Sequence, residues 1–251
     1  MLVIRTLVRA TCRLDRPGRR HPGALWSQLD RQFFWRDGEY RKLAELHSDY
    51  TVEKFEEVLG APLLRRRSED RRWEELFFRG QEDWVQAVVP ANGNTVTYFS
   101  VTSCSASFKP TFWLPEGGPI KLYESTLASA GRPPFSLYPW PLRFRYAVYA
   151  SSPHAYFEWY SGGHAWSFKG FAWGFNGVCG RGASANPYDF GFFNPNVRVG
   201  MVSRLPKGMK TRFREGVAVN TYAEWGLSTG YLSRWPPLVP IGVDEFIVSN
   251  N

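Results

Sequence analysis

The stretch "WVQAVVP", residues 84–90, is followed by Ala91-Asn92-Gly93-Asn94 and then by "TVTYFSVTS", residues 95–103. It constrains the fold more than any other part of the chain. Val85, Ala87 and Val89 alternate with Gln86 and Val88, while Val96, Tyr98 and Ser100 alternate with Thr97, Phe99 and Val101. Period-two patterning on both sides of an Asn-Gly pair, which accommodates the positive φ angles of a tight turn, predicts an antiparallel hairpin. No strand–helix–strand alternation occurs elsewhere, so a doubly wound parallel fold is disfavoured.

The segment just upstream, "YTVEKFEEVLGAPLL" at residues 50–64, reads as a short helix. Thr51 is a suitable N-cap, Glu53 sits where the helix dipole favours an acid, and Tyr50 and Phe55 have the spacing of a hydrophobic staple. Val52, Phe55, Val58 and Leu59 form one apolar face. Gly60 suits a left-handed C-terminus and Pro62 forbids continuation. From Ala24 to about His47 the pattern is also helical: Leu25, Trp26, Leu29, Phe33 and Phe34 share a face, and Leu43 and Leu46 follow a break at Asp37-Gly38. "RRRSEDRRWEELFFRG", residues 65–80, mixes charges of both signs and reads as a solvated helix or loop.

Residues 104–142 are proline-rich and predict an ordered surface excursion packed by its own aromatics. "RFRYAVY", "AYFEWY" and "HAWSFKGFAWGF" then predict an antiparallel meander, with turns at Ser151-Ser152-Pro153 and Gly162-Gly163. Aromatics make up 17% of the chain and fall mostly after residue 70, which suits pleated, half-buried surfaces. The expected fold is α+β: N-terminal helices, then an antiparallel, aromatic-rich β-sheet with long Pro-rich loops. The expected organisation is a basic arm over 1–23 and one domain over 24–251, with a helical and hairpin lobe at 24–103 and a β-rich lobe at 104–251.

Helix, Leu-Gly-x-Pro, strand, Asn-Gly, strand over residues 50–102 resembles the helix–hairpin modules of β-lactamase-inhibitor-protein-like and outer-membrane-assembly lipoprotein families. That resemblance implies binding to other proteins or the stabilisation of assemblies. A wider set of short motifs runs Tyr50-x4-Phe55-x3-Leu59-Gly60-x-Pro62, Ser100-Val101-Thr102, Phe108-x-Pro110, Tyr156-x-Glu158-x-Tyr160, Gly174-x-Asn176-Gly177 and Asn220-Thr221-Tyr222. It resembles an uncharacterised bacterial domain family usually carried behind an N-terminal membrane anchor. The family implies organisation and no activity, and this sequence departs from it in lacking the anchor.

Charge is uneven. Residues 1–23 hold six arginines against Asp15 alone, so five of the eight net positive charges fall there. Such an arm reads first as a solvated tail, and as a contact for nucleic acid or an anionic membrane second. No stretch approaches the ~20 apolar residues of a membrane span, and Arg5 and Arg9 interrupt any signal-peptide core. The arginine-rich, acid-poor start also has the composition of an organellar transit peptide. Cys12, Cys104 and Cys179 suggest neither a disulfide framework nor a zinc site, so a cytoplasmic, or membrane-associated, location is expected.

Catalysis has one candidate cluster: His154, Glu158 and His164, with Cys179 nearby in sequence. His154 and Glu158 are four apart and share a strand face, where they suit proton transfer. His-x3-Glu-x5-His matches no metal-ligand spacing, so neither metal nor cofactor is expected, and a hydrogen-bonded acid on an aromatic strand is the commoner arrangement. Cys179 reads as a small buried side chain. "GFNGVCGRG" lacks the strand–glycine–helix context of a nucleotide loop. Arg204, Lys207, Lys210, Arg212 and Arg214 lie within residues 204–214 and suit a phosphate backbone, although a solvated loop is the commoner reading. Trp159, on the strand face opposite Glu158, is the aromatic candidate for a protein interface. The sequence therefore favours a non-catalytic binding module for a protein or envelope partner. A hydrolase using His154, Glu158 and His164, and nucleic-acid binding through residues 204–214, are the alternatives.

Overall fold

The structure, a computed structural model, describes residues 35–68, 71–114, 118–130, 147–149, 155–161, 169–179, 207–226, 241–244 and 247–248. Residues Glu39–Asn251 make one compact unit, and Met1–Gly38 another. The expected arm over residues 1–23 lies outside the described residues, as do residues 24–34.

Helix α1 spans Trp35–Ala44 and passes through Asp37-Gly38 without the expected break. A glycine inside a helix costs only ~1 kcal/mol relative to alanine, and burial of Leu43 favours continuation. Helix α2, Val52–Leu59, forms as its caps dictate: the Thr51 hydroxyl accepts from Lys54 N, and Gly60 (φ 86°) donates its N–H to Glu56 O. Phe55 is fully enclosed, its ring 5.6 Å from Phe99 and 6.4 Å from Phe78. Tyr50, at the staple position, instead presents its edge to the His47 ring at 5.6 Å. Thr51→Ala should cost ~1 kcal/mol of stability in urea unfolding, the usual penalty for an orphaned helix N-terminus.

Strands β1 (Leu64–Arg67), β2 (Trp73–Arg79), β3 (Asp83–Pro90) and β4 (Tyr98–Ser103) form one meander. β7 (Ala147–Tyr149), β8 (Ala155–Ser161) and β9 (Gly170–Asn176) form a second, and β10 (Thr221–Trp225) joins the two. The resulting antiparallel sheet has the order β1-β2-β3-β4-β10-β9-β8-β7. A separate hairpin, β5 (Thr111–Leu114) and β6 (Gly118–Lys121), is followed by the short helix α3 (Leu127–Ala130). It occupies part of the Pro-rich excursion, the remainder of which lies outside the described residues. Helix α4, Lys207–Gly216, precedes β10.

The charged run at 65–80 is therefore a hairpin, neither helix nor loop. Its mixed signs meet across the strands: Arg66 is opposite Glu75, with both guanidinium–carboxylate contacts at 3.1 Å, and Arg67 is opposite Glu74. Register also explains the polar positions inside the sheet. Phe78, Val85, Val101, Tyr222, Trp173 and Glu158 form one cross-strand row on a single face. Phe77, Gln86, Ser100, Ala223 and Ala172 form the neighbouring row on the other face. Every residue of β4, β9 and β10 is buried, so both faces are covered.

The first face packs under α2 and β5, where Phe112 stacks on Tyr222 at 4.3 Å. The second carries Val88, Tyr98, Phe157, Ala172, Ala223 and Trp225 against Ile241. The Asn92-Gly93 turn forms without positive φ at either residue. Gly93 N donates to Pro90 O, and the loop's far side pairs with the approach to α2 through Val96 N to Tyr50 O and Val52 N to Asn94 O. The hairpin loop thus anchors the helix it follows in space.

Candidate functional site

Glu158 and Arg214, from two rival sequence candidates, meet one another. Glu158 is completely buried on β8, and Arg214 reaches it from α4 with Nε to Oε1 at 2.8 Å and Nη2 to Oε2 at 3.0 Å. Nη2 also donates to Leu127 O at 3.1 Å. The basic run is a helix over 207–216, not a loop, which suits its lysine, arginine and methionine content. Arg212 is exposed on that helix, which also carries Lys207 and Lys210. Residue 159 pairs with Ala172 in the sheet, one position past Glu158 and so on the opposite face. His154 and His164 lie outside the described residues.

Cys179 departs from expectation: it is bonded to Cys104. The two are 75 residues apart and only 4.9 Å apart at Cα, a proximity that only the strand order creates.

A second buried carboxylate, Glu224, builds a site the sequence did not reveal. It sits in mid-strand on β10, opposite Phe99 and Phe171, and is 3% exposed. Five donors converge on it. Oε1 accepts from Ser48 N at 3.1 Å, Ser48 Oγ at 2.8 Å and Lys169 Nζ at 2.6 Å. Oε2 faces His47 Nδ1 and Tyr222 OH, each at 3.3 Å. Burial raises its pKa, but the hydrogen bond from His47 and the Lys169 charge outweigh that and hold the carboxyl below its ordinary range. Tyr222 is pushed well above its ordinary range by burial and then by the Glu224 charge, so its hydroxyl keeps its proton and donates it.

An ionised carboxylate only accepts hydrogen bonds, so His47 must donate through Nδ1. His47 has about half its side chain exposed and opens onto a surface depression of ≈ 520 Å³ lined by Glu45, His47, Asp49, Tyr50, Thr51 and Lys54. Asp49 turns the chain there in a left-handed conformation (φ 72°) and donates its N–H to Val96 O. Lys54 leans on Glu57 at 3.3 Å. Tyr50 is 40% exposed at the rim.

Sequence reasoning missed this site because His47 and Glu224 are 177 residues apart. The nearest signal was Asn220-Thr221-Tyr222, just before Glu224. Among the described residues no group of three His, Cys, Asp or Glu is arranged to hold a metal ion, and no helix is long and apolar enough to cross a membrane. Comparison with known proteins gives no match to a family model, a curated protein or a solved structure.

Proposed function

We propose that the chain is a non-catalytic binding module for a protein or envelope-associated partner, docking at the depression between α1 and α2. The observation that carries this reading is Tyr50. It is an exposed ring held edge-on against a histidine that a buried carboxylate fixes in place. A rigid aromatic beside a concave surface is the usual anchor of a protein interface. The rival readings lose reagents to the fold: Glu158 of the hydrolase cluster and Arg214 of the basic run neutralise each other. The resemblance to an uncharacterised bacterial domain family and to helix–hairpin binding modules accords with this reading. A formed Cys104–Cys179 bond suits an oxidising compartment such as the cell envelope better than the reducing cytosol expected from the sequence.

Tyr50→Ala should weaken a captured partner by ~2 kcal/mol or more, roughly 30-fold in Kd. Changing Lys207, Lys210 and Arg212 together to Gln should leave that affinity unchanged. Equal retention by wild type and Tyr50→Ala, with loss in the triple variant, would move the interface to α4.

A second reading has one observation in its favour. A half-exposed imidazole held through Nδ1 by a buried carboxylate is the arrangement of a general base. Hydrolytic activity abolished by both His47→Ala and Glu224→Gln would replace the binding reading.

A further inference from the structure

The Cys104–Cys179 bond lies at one end of the sheet, over the segment that closes the second face. Cys104 follows β4 directly, and Cys179 ends a single 3-10 turn, Gly177–Cys179, after β9. These strands are not neighbours, because β10 runs between them, so the bond bridges the end of a three-strand block. Beneath it Phe77, Trp84 and Val178 pack against Val243 and Ile247, with Cys104, Cys179, Leu64 and Val248 at the margin.

The segment containing Ile241–Asp244 and Ile247–Val248 joins no strand of the sheet. Two polar ties hold it to the sheet and one braces it internally. Asn176 Nδ2 donates to Val243 O at 3.0 Å, Ile247 N donates to Asp244 Oδ1 at 3.0 Å, and Arg66 Nη1 contacts Asp244 Oδ2 at 2.6 Å. Gly242, in the left-handed region at φ 80°, is seated so closely that a Cβ there would lie 2.6 Å from Asn176 Nδ2 and 2.8 Å from Thr102 Oγ1. Asn176 and Thr102 stand on β9 and β4, the two strands the disulfide joins. The seat of the segment therefore depends on the spacing that the bond fixes.

We propose that Cys104–Cys179 is a redox latch: the disulfide seats residues 241–244 and 247–248 on the sheet, and reduction by a dithiol releases them. Both cysteines are half-buried, so the bond is open to attack. A thiolate of the dithiol attacks one sulfur, the S–S bond breaks, and the other cysteine leaves as a thiolate that takes up a proton. The second thiol of the reductant then displaces the first cysteine in the same way. Two electrons and two protons pass from the dithiol, which becomes a cyclic disulfide, to the two cysteines. Release exposes Phe77, Trp84 and Val178 as a new apolar surface.

Hydrogen exchange on the full chain, before and after reduction with dithiothreitol, tests this. The amides of Ile247 and Val248 should exchange at least ~10-fold faster after reduction, while those of α2 and of the β2–β3 ladder keep their rates. Reoxidation should restore protection. The double variant Cys104→Ser/Cys179→Ser should resemble the reduced protein; if that variant does not fold, reduction and reoxidation of the wild type supply the same reading. Unchanged exchange at residues 247–248 would overturn the latch. So would an equal rise across the whole sheet, or three thiols, Cys12 included, titrating in the unreduced protein where the bond leaves only one.

Discussion

Replacing Arg214 by Met is expected to remove ~3–5 kcal/mol of stability, the usual cost of leaving one member of a buried ion pair alone. Glu158 is fully buried on β8 and takes both guanidinium contacts from Arg214, at 2.8 and 3.0 Å. Without that partner the buried carboxylate loses the guanidinium that balances its charge. The penalty belongs to the orphaned charge more than to the lost attraction, which fixes what a double variant should do. Glu158→Gln together with Arg214→Met should recover much of the loss. Arg214→Lys should fall between, because a lysine keeps the charge and loses the fork that matches both oxygens. Urea unfolding of the four proteins checks this. If Arg214→Met loses less than ~1 kcal/mol, the pair is not the anchor of α4, and Arg214 is available to a ligand.

Asp83 should make the protein less stable as the pH rises from the ordinary aspartate range towards neutrality. It is 3% exposed, and its Oδ1 has no hydrogen-bond partner. Burial raises its pKa to about 7; Glu39 and Glu82 add to the shift and Lys42 opposes it. The sign follows from proton counting. Between the unfolded value of 3.8 and about 7, the folded protein holds a proton that the unfolded chain has released. Stability therefore falls across that window and levels off above it. A shift of this size corresponds to ~4 kcal/mol. Asp83→Asn has no such charge to expose, so it should flatten the profile and exceed the wild type most clearly near pH ~8. Glu224 acts in the other direction and in another window. Its lowered pKa contributes stability that is lost only as the pH falls below the ordinary glutamate range, so the two slopes separate. A wild-type profile flat from pH ~4 to ~8 would show that Asp83 has a partner or a path to water.

What the sequence disclosed and what it hid divide along the range of the interactions. Helix α2 was legible because its signals, Thr51, Glu53, Gly60 and Pro62, lie within its own length. The β3–β4 and β8–β9 pairings were legible because alternation survives in their apolar residues, and alternation placed Glu158 and Trp159 on opposite faces. Hairpin β1–β2 was not, because its charges satisfy one another across strands and mimic a solvated run. Gln86, Ser100 and Thr102 are polar, yet each is buried. Gln86 donates to Glu75 at 2.8 Å, Ser100 donates to Gln86 at 3.2 Å, and the Thr102 and Thr221 hydroxyls meet at 3.1 Å.

Two of the short motifs, Gly174-x-Asn176-Gly177 and Asn220-Thr221-Tyr222, meet at the ends of β9 and β10. Asn220 Nδ2 donates to Asn176 O at 2.8 Å while Asn176 N donates to Asn220 Oδ1 at 2.7 Å. Those residue types are needed where β9 and β10 end together and main-chain groups would otherwise lack partners. The disulfide and the His47–Glu224 pair were hidden for one reason: each joins residues that become neighbours only once β10 stands between β4 and β9.

The central claim is that partners dock beside Tyr50 and not along α4. Site-specific photocrosslinking addresses it directly, with a benzophenone amino acid placed in turn at Tyr50, Trp113 and Arg212, all exposed. The account predicts a discrete protein adduct from position 50 that excess unlabelled wild-type chain competes away, and none from 113 or 212. Adducts to nucleic acid from position 212, with nothing captured at position 50, would contradict it.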